Sequence, residues 1–194
     1  MQAAAKKWQV DGYIGIGGSV KRAFLLLGIL GLSGIGQAYA ERGDQFWLLK
    51  GGMLWVSSDD PDTLNTLGLT YGYGITQGIS LELDYDRSFA GGAYRQDAEK
   101  GEYKTWLISG NLAYRHRLYS DIYAKAKLGY SYGGLSRSSD TKANRDDAVD
   151  GVNGSLGLGY LAGALVGTST TFELFYTRHT KDISSVMLGV NLTF

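Results

Sequence analysis

Ionisable side chains recur at every second position in two stretches of this chain. Glu82, Asp84 and Asp86 do so among apolar residues, and so do Lys125 and Lys127. Lys50, Arg115 and Glu173 stand alone in comparable surroundings. Charges placed this way can pair inside a fold, hold a gate shut or line an ion path. His179 is the other candidate: a general base needs a hydroxyl within hydrogen-bond reach, and Thr180 and Ser184 are near it in sequence. His116 adjoins a turn and is the weaker candidate. With no cysteine and no clustered ligands, the chain offers no thiolate or metal site. Gly157-Leu158-Gly159 lies within an alternating segment and lacks the strand-to-helix setting of a phosphate loop. No cofactor is expected.

The elements that must position these residues are strands. Ile79, Leu81, Leu83 and Tyr85 alternate with Ser80, Glu82, Asp84 and Asp86. Side chains in a strand change face at each residue, so one face here is apolar and the other charged. The same pattern runs through Phe46 to Ser57, Leu67 to Ile75, Thr105 to Arg115, Ile122 to Tyr132, Val152 to Tyr160, Thr171 to Thr177 and Ser184 to Phe194. That makes eight segments of about ten residues, the length a tilted strand needs to cross a bilayer. An apolar strand ending on Phe194 would be an aggregation-prone edge in water, but pairing with residues 46–57 closes the sheet on itself. The expected fold is all-β, an eight-stranded antiparallel up-and-down transmembrane β-barrel.

In that barrel the apolar faces meet lipid, and Lys50, Glu82, Asp84, Asp86, Arg115, Lys125, Lys127 and Glu173 point inward. A barrel of eight strands is only wide enough to be filled by side chains. The acidic segment 79–86, with Glu173, is expected to face the basic segment 122–132. Trp47, Trp55, Trp106, Tyr130 and Phe194 are expected at the membrane interfaces, where amphipathic rings settle. Residues 88–102 and 134–150 read as long polar loops, and the stretch 161–169 has an apolar character the periodicity does not explain. His179 follows Phe175 and Thr177 to the lumen side, away from lipid.

Lys21 and Arg22, the apolar run Ala23 to Leu32, and Ala38-Tyr39-Ala40 form a secretory signal in order. The run is shorter than the roughly 20 residues of a spanning helix. The expected organisation is an extension of no assigned role over 1–19, a signal peptide over 20–40 cleaved near Ala40, and a barrel over 41–194. A formal net charge of zero gives no basic excess for nucleic acid.

On Ile79 to Tyr85, Ile122 to Tyr132, Gly157 to Tyr160 and the ending Val190-Asn191-Leu192-Thr193-Phe194, the chain resembles the small eight-stranded outer-membrane barrels. This group includes the transmembrane domain of outer-membrane protein A and the attachment-invasion type. The resemblance covers roughly residues 46–194, and no peptidoglycan-binding domain follows the barrel. It implies residence in the bacterial outer membrane as a monomer, and assembly by the barrel-insertion machinery reading the C-terminal segment. It also implies a structural or interactive role: outer-membrane lipids or lipopolysaccharide around the belt, and a host or surface ligand on 88–102 and 134–150. A non-enzymatic protein is expected. Two alternatives come from the same group, a lipid A-modifying enzyme and a narrow channel for small solutes. The deacylase pattern places serine two residues after its histidine, and here that position is Lys181.

Overall fold

The computed structural model describes residues 42–57, 63–89, 92–96, 99–139, 145–165 and 168–194. The extension 1–19 and the signal segment 20–40 lie outside the described residues. Nine strands follow one another: β1 (Gln45–Val56), β2 (Thr63–Thr76), β3 (Ile79–Ser88), β4 (Gly92–Gln96), β5 (Glu99–Arg117), β6 (Ile122–Ser139), β7 (Arg145–Leu165), β8 (Thr168–Arg178) and β9 (Ile183–Thr193). Each pairs antiparallel with its neighbours, β1 with β9 and β3 with β5, so eight of them close a barrel. β4 follows β3 along the same edge of β5, pairing with its outer end from Gly92 opposite Tyr103 to Gln96 opposite Glu99. The closing seam runs from Phe46 opposite Thr193 to Val56 opposite Ile183, which removes the greasy edge at the chain's end.

Burial alternates strictly. On β3, Ser80, Glu82, Asp84, Asp86 and Ser88 are buried while Leu81, Leu83 and Tyr85 are exposed. Thirty large hydrophobic side chains are exposed among the described residues, nearly all on the outer wall. A protein in water would not present such a surface. An interior of buried charge inside an apolar wall is the inverse of a soluble fold, and bilayer is the solvent that fits it. The chain is a transmembrane barrel.

Three regions differ from the sequence reading. Residues 88–102 and 134–150 are largely strand. β3 runs to Ser88, Gly92–Gln96 pair with Tyr103–Glu99, β6 continues to Ser139 and β7 begins at Arg145. The ladder is made by backbone groups and does not need a greasy face, so it persists where both faces are polar. β5, β6 and β7 are consequently 19, 18 and 21 residues long, against 11 for β8 and β9. Together with β4 they rise above the rest of the rim as a projecting sheet. Residues 161–165 and 168–169 continue the β7–β8 ladder, through a bulge between Leu161 and Gly163.

At that bulge Gly163 has φ of +109°, a conformation L side chains rarely adopt, although a Cβ there would meet no neighbour. Gly163→Ala is expected to cost about 1 kcal/mol of barrel stability through backbone strain alone. Urea titration of the refolded protein checks it.

Candidate functional site: the barrel interior and its outer rim

Alternation on five strands delivers eight charged side chains to the interior: Lys50 from β1, Glu82, Asp84 and Asp86 from β3, Arg115 from β5, Lys125 and Lys127 from β6, and Glu173 from β8. All are at most 7% exposed. The structure brings them into one network. Lys50 Nζ lies 2.7 Å from Asp84 and 3.0 Å from Asp86. Lys127 bridges Asp84 at 3.2 Å and Glu82 at 2.7 Å. Lys125 bridges Glu82 at 2.8 Å and Glu173 at 3.1 Å. Arg115 lies within 3.8 Å of Glu82 and 3.7 Å of Glu173. Cation and anion alternate along the whole chain of contacts, four of each, so these eight charges cancel among the described residues. Pairing of this kind offsets the desolvation of buried ions, which would otherwise be prohibitive.

Neutral side chains complete the network. Asn111 donates to Asp84 at 2.6 Å, Asn191 to Glu173 at 3.0 Å and Ser80 to Glu82 at 3.1 Å, while Thr70 donates to Asp84 and Tyr123 to Glu173. These residues share the inward phase of the charges, and that phase was the sequence signal that could have found them. Towards the end of the lumen away from the projecting sheet, Arg115 lies over the Phe46 ring at 4.4 Å and Lys125 at 5.3 Å. Phe175 receives Lys125 at 5.2 Å and Lys127 at 5.0 Å. Gly159 leaves the space that the Tyr123 ring fills.

Towards the projecting sheet the filling changes character. Leu54, Val56, Leu64, Tyr103, Leu107, Leu135 and Ile183 form one buried apolar cluster, with Val149 packed against it. Ion pairs thus lie between an aromatic layer and an apolar plug. Apolar residues on the inward face of an alternating strand look like noise in the sequence, and the plug was missed for that reason.

His179 lies in the connection between β8 and β9, 2% exposed, with Nε2 2.9 Å from Ser185 Oγ. The candidate hydroxyls take other partners. Thr180 Oγ1 accepts the backbone N–H groups of Asp182 and Ile183, and Ser184 Oγ accepts from Tyr176 at 3.5 Å. Burial holds the imidazole well below its ordinary value, at about 4. His116 stacks against Tyr114, ring centroids 6.3 Å apart.

On the outer wall Trp47 pairs with Tyr71 at 4.9 Å and Trp55 with Tyr176 at 6.2 Å. The two tryptophans are about 27 Å apart along β1, which at a strand tilt near 40° is about 20 Å of height, within a barrel's apolar band. Trp106 packs against Tyr132 at 6.0 Å, and Tyr130 and Phe194 are exposed.

No protein-family model and no curated protein sequence matches the chain. Several solved structures share its fold. Neisserial surface protein A superposes with a TM-score of 0.57 at 14% identity, over 78% of this chain and 98% of that one. The outer membrane protein OprG of Pseudomonas aeruginosa gives 0.56 at 16% identity, over 82% and 99%. Ail, the attachment invasion locus protein of Yersinia pestis, gives 0.56 at 15% identity, over 79% and 99%, in a complex with the heparin analogue sucrose octasulfate. At such identities the likeness speaks for architecture. With the closed seam, the apolar wall and the paired interior, it makes this chain an eight-stranded transmembrane β-barrel.

Proposed function

We propose that the chain is a bacterial outer-membrane protein that acts as a sealed scaffold and makes its contacts through the projecting sheet. The observation that carries this is the pairing of a lumen without free charge with strands that outgrow the membrane on one side only. An interior of interlocked ion pairs beneath an apolar plug leaves ions no favourable path. Three strands of about twenty residues exceed what spanning requires, and the excess stands where partners are met. Ail, of the same fold, was crystallised with a heparin analogue, which fits a surface-contact role for this architecture. Lipid or lipopolysaccharide surrounds the belt, with Trp47, Trp55, Trp106, Tyr130 and Phe194 at its two borders. The barrel-insertion machinery reads the segment ending in Phe194, and the barrel is a monomer.

The role is non-enzymatic in this reading. His179 is buried in the β8–β9 connection, its hydrogen bond goes to Ser185, and no acyl chain in the lipid phase reaches it.

Replacing residues 136–146 by Asn-Gly joins the paired residues Leu135 and Asp147 with a tight hairpin turn. Cells carrying this variant are expected to lose adhesion to host-cell surfaces while the extracted protein keeps its heat-modifiable gel migration. Unchanged adhesion would refute the contact role. In planar bilayers the intact protein is expected to give no steady conductance, and a stable open level would instead favour the solute channel.

A further inference from the structure

The connection between β8 and β9 turns inward at its start. His179 and Thr180 are buried, whereas the side chains of Lys181 and Asp182 are 85% and 54% exposed. The buried pair rests on the neighbouring strand. Gly151 lies on the lumen face of β7, opposite Ser131, and a Cβ there would be 3.7 Å from both Cβ and Cγ2 of Thr180. Thr180 therefore packs on the bare backbone of β7. The connection is otherwise tied mostly to its own hairpin. Arg178 donates to the carbonyls of Thr180 and Lys181 at 3.3 and 3.2 Å, and the N–H groups of His179 and Thr180 donate to the Ile183 carbonyl. One bond leaves the hairpin on the other side, from the Ser57 N–H to the Asp182 carbonyl at 2.7 Å. Towards β7 the tip is held by the packing of Thr180 and the burial of the His179 ring.

The ring is the point at which this arrangement can fail. Nε2 is satisfied by Ser185, but among the described residues Nδ1 has no hydrogen-bond partner. A neutral imidazole meets this by leaving Nδ1 without a proton. In the imidazolium both nitrogens are donors, so Nδ1–H becomes a buried cationic donor with nothing to accept it. The charges that act on the ring oppose one another. Asp84 and Asp86 on β3 favour its proton, while Lys50 on β1 and Lys127 on β6 disfavour it. These cations are bridged to the same carboxylates, Lys50 to both and Lys127 to Asp84. Burial therefore decides, and it decides against the charged ring. We infer that the β8–β9 connection is an acid-released cap: protonation of His179 turns residues 179–181 out of the barrel and opens the lumen face of β7 at Gly151 to water. This goes beyond the sealed scaffold, because the ion pairs of the lumen are not part of the cap and stay in place when it opens.

A ring in water takes up its proton at about 6.5, and the buried ring only at about 4. The closed cap is thus fully favoured above pH 6.5 and loses ground as the pH falls towards 4, by on the order of 300-fold in the ratio of closed to open. Spin labels on Lys181→Cys and Ser138→Cys, in a chain with no other cysteine, read the distance between cap and β6 in nanodiscs. A single distance is expected at about pH 7.5 and a shifted, broader distribution at about pH 3.5. His179→Gln is neutral throughout and can still donate to Ser185, so it is expected to keep the first distance at both values. A second measurement covers the case in which that variant does not insert. Gly151→Cys/Thr180→Cys sets two Cβ atoms at disulfide distance, and the oxidised form locks the cap. Imidazole NMR is expected to show His179 in the locked barrel needing about tenfold more acid to protonate than in the reduced one. An unchanged distance in acid, an opening that persists in His179→Gln, or a titration indifferent to the disulfide would each overturn the inference.

Discussion

Lys125→Met is expected to lower the unfolding free energy of the barrel by about 3 kcal/mol, read as a shift in the urea midpoint of the heat-modifiable band. Lys125 is the cation between Glu82 and Glu173, at 2.8 and 3.1 Å. Methionine fills much of its volume but leaves two carboxylates with one fewer counter-ion, in an interior where neither meets solvent. Breaking a buried pair from one side costs far more than the intact pair contributes, because a charge is stranded. Removing the partner as well should therefore restore stability. Lys125→Met/Glu173→Gln is expected to recover most of the loss, since Arg115 and Lys127 remain to balance Glu82. A loss below about 1 kcal/mol for the single variant would place these ions in water, with the weak coupling of exposed pairs. Such a result would remove the sealed lumen from the account.

The second large effect is on the opposite face of the wall. Leu83 and Leu118 are each 56% exposed, yet they are expected to respond differently to the same substitution. Leu83 is mid-strand on β3, between the inward-facing Glu82 and Asp84, and Leu118 begins the short turn between β5 and β6. Leu83→Arg is expected to cost about 2–4 kcal/mol in a lipid bilayer, the penalty for a cation near the midplane. Leu118→Arg should cost roughly 0–1 kcal/mol, because the arginine reaches the interface. Equal and small effects at both positions would mean that Leu83 faces water.

Most of the wall was legible in the sequence because lipid and lumen impose opposite demands on adjacent residues. Leu81 and Glu82, or Ala126 and Lys127, cannot exchange places, so a period of two fixes both face and register. The same contrast explains what remained hidden. Above the membrane both faces of β6 and β7 are wet, and Ser136, Ser138, Asp146 and Asp150 carry no alternation from which a strand could be read. Only the backbone ladder reveals them. Inside, Leu54, Val56 and Leu107 stand on the inward face of strands whose outward face is also apolar. Periodicity is blind to that case, and the plug emerges only when six strands converge on it. His179 is buried on the phase of Phe175, but Ser185, its partner, lies across a turn. Phase assigns a face and says little about a distance.

The chain contains no cysteine, so single cysteines can be placed anywhere in the barrel without background. Scanning residues 122–138 of β6, in protein inserted in vesicles, tests the central claim most directly. Each site is probed with a lipid-borne quencher and with a membrane-impermeant thiol reagent. The barrel described here predicts quenching at even positions from Ile122 to Tyr132, and no reaction with either probe at Lys125, Lys127 and Ser131. It further predicts reaction with the aqueous reagent at Ser136 and Ser138. Aqueous labelling at 125, 127 and 131 would show an open, wet lumen, and quenching without a two-residue period would contradict the barrel itself.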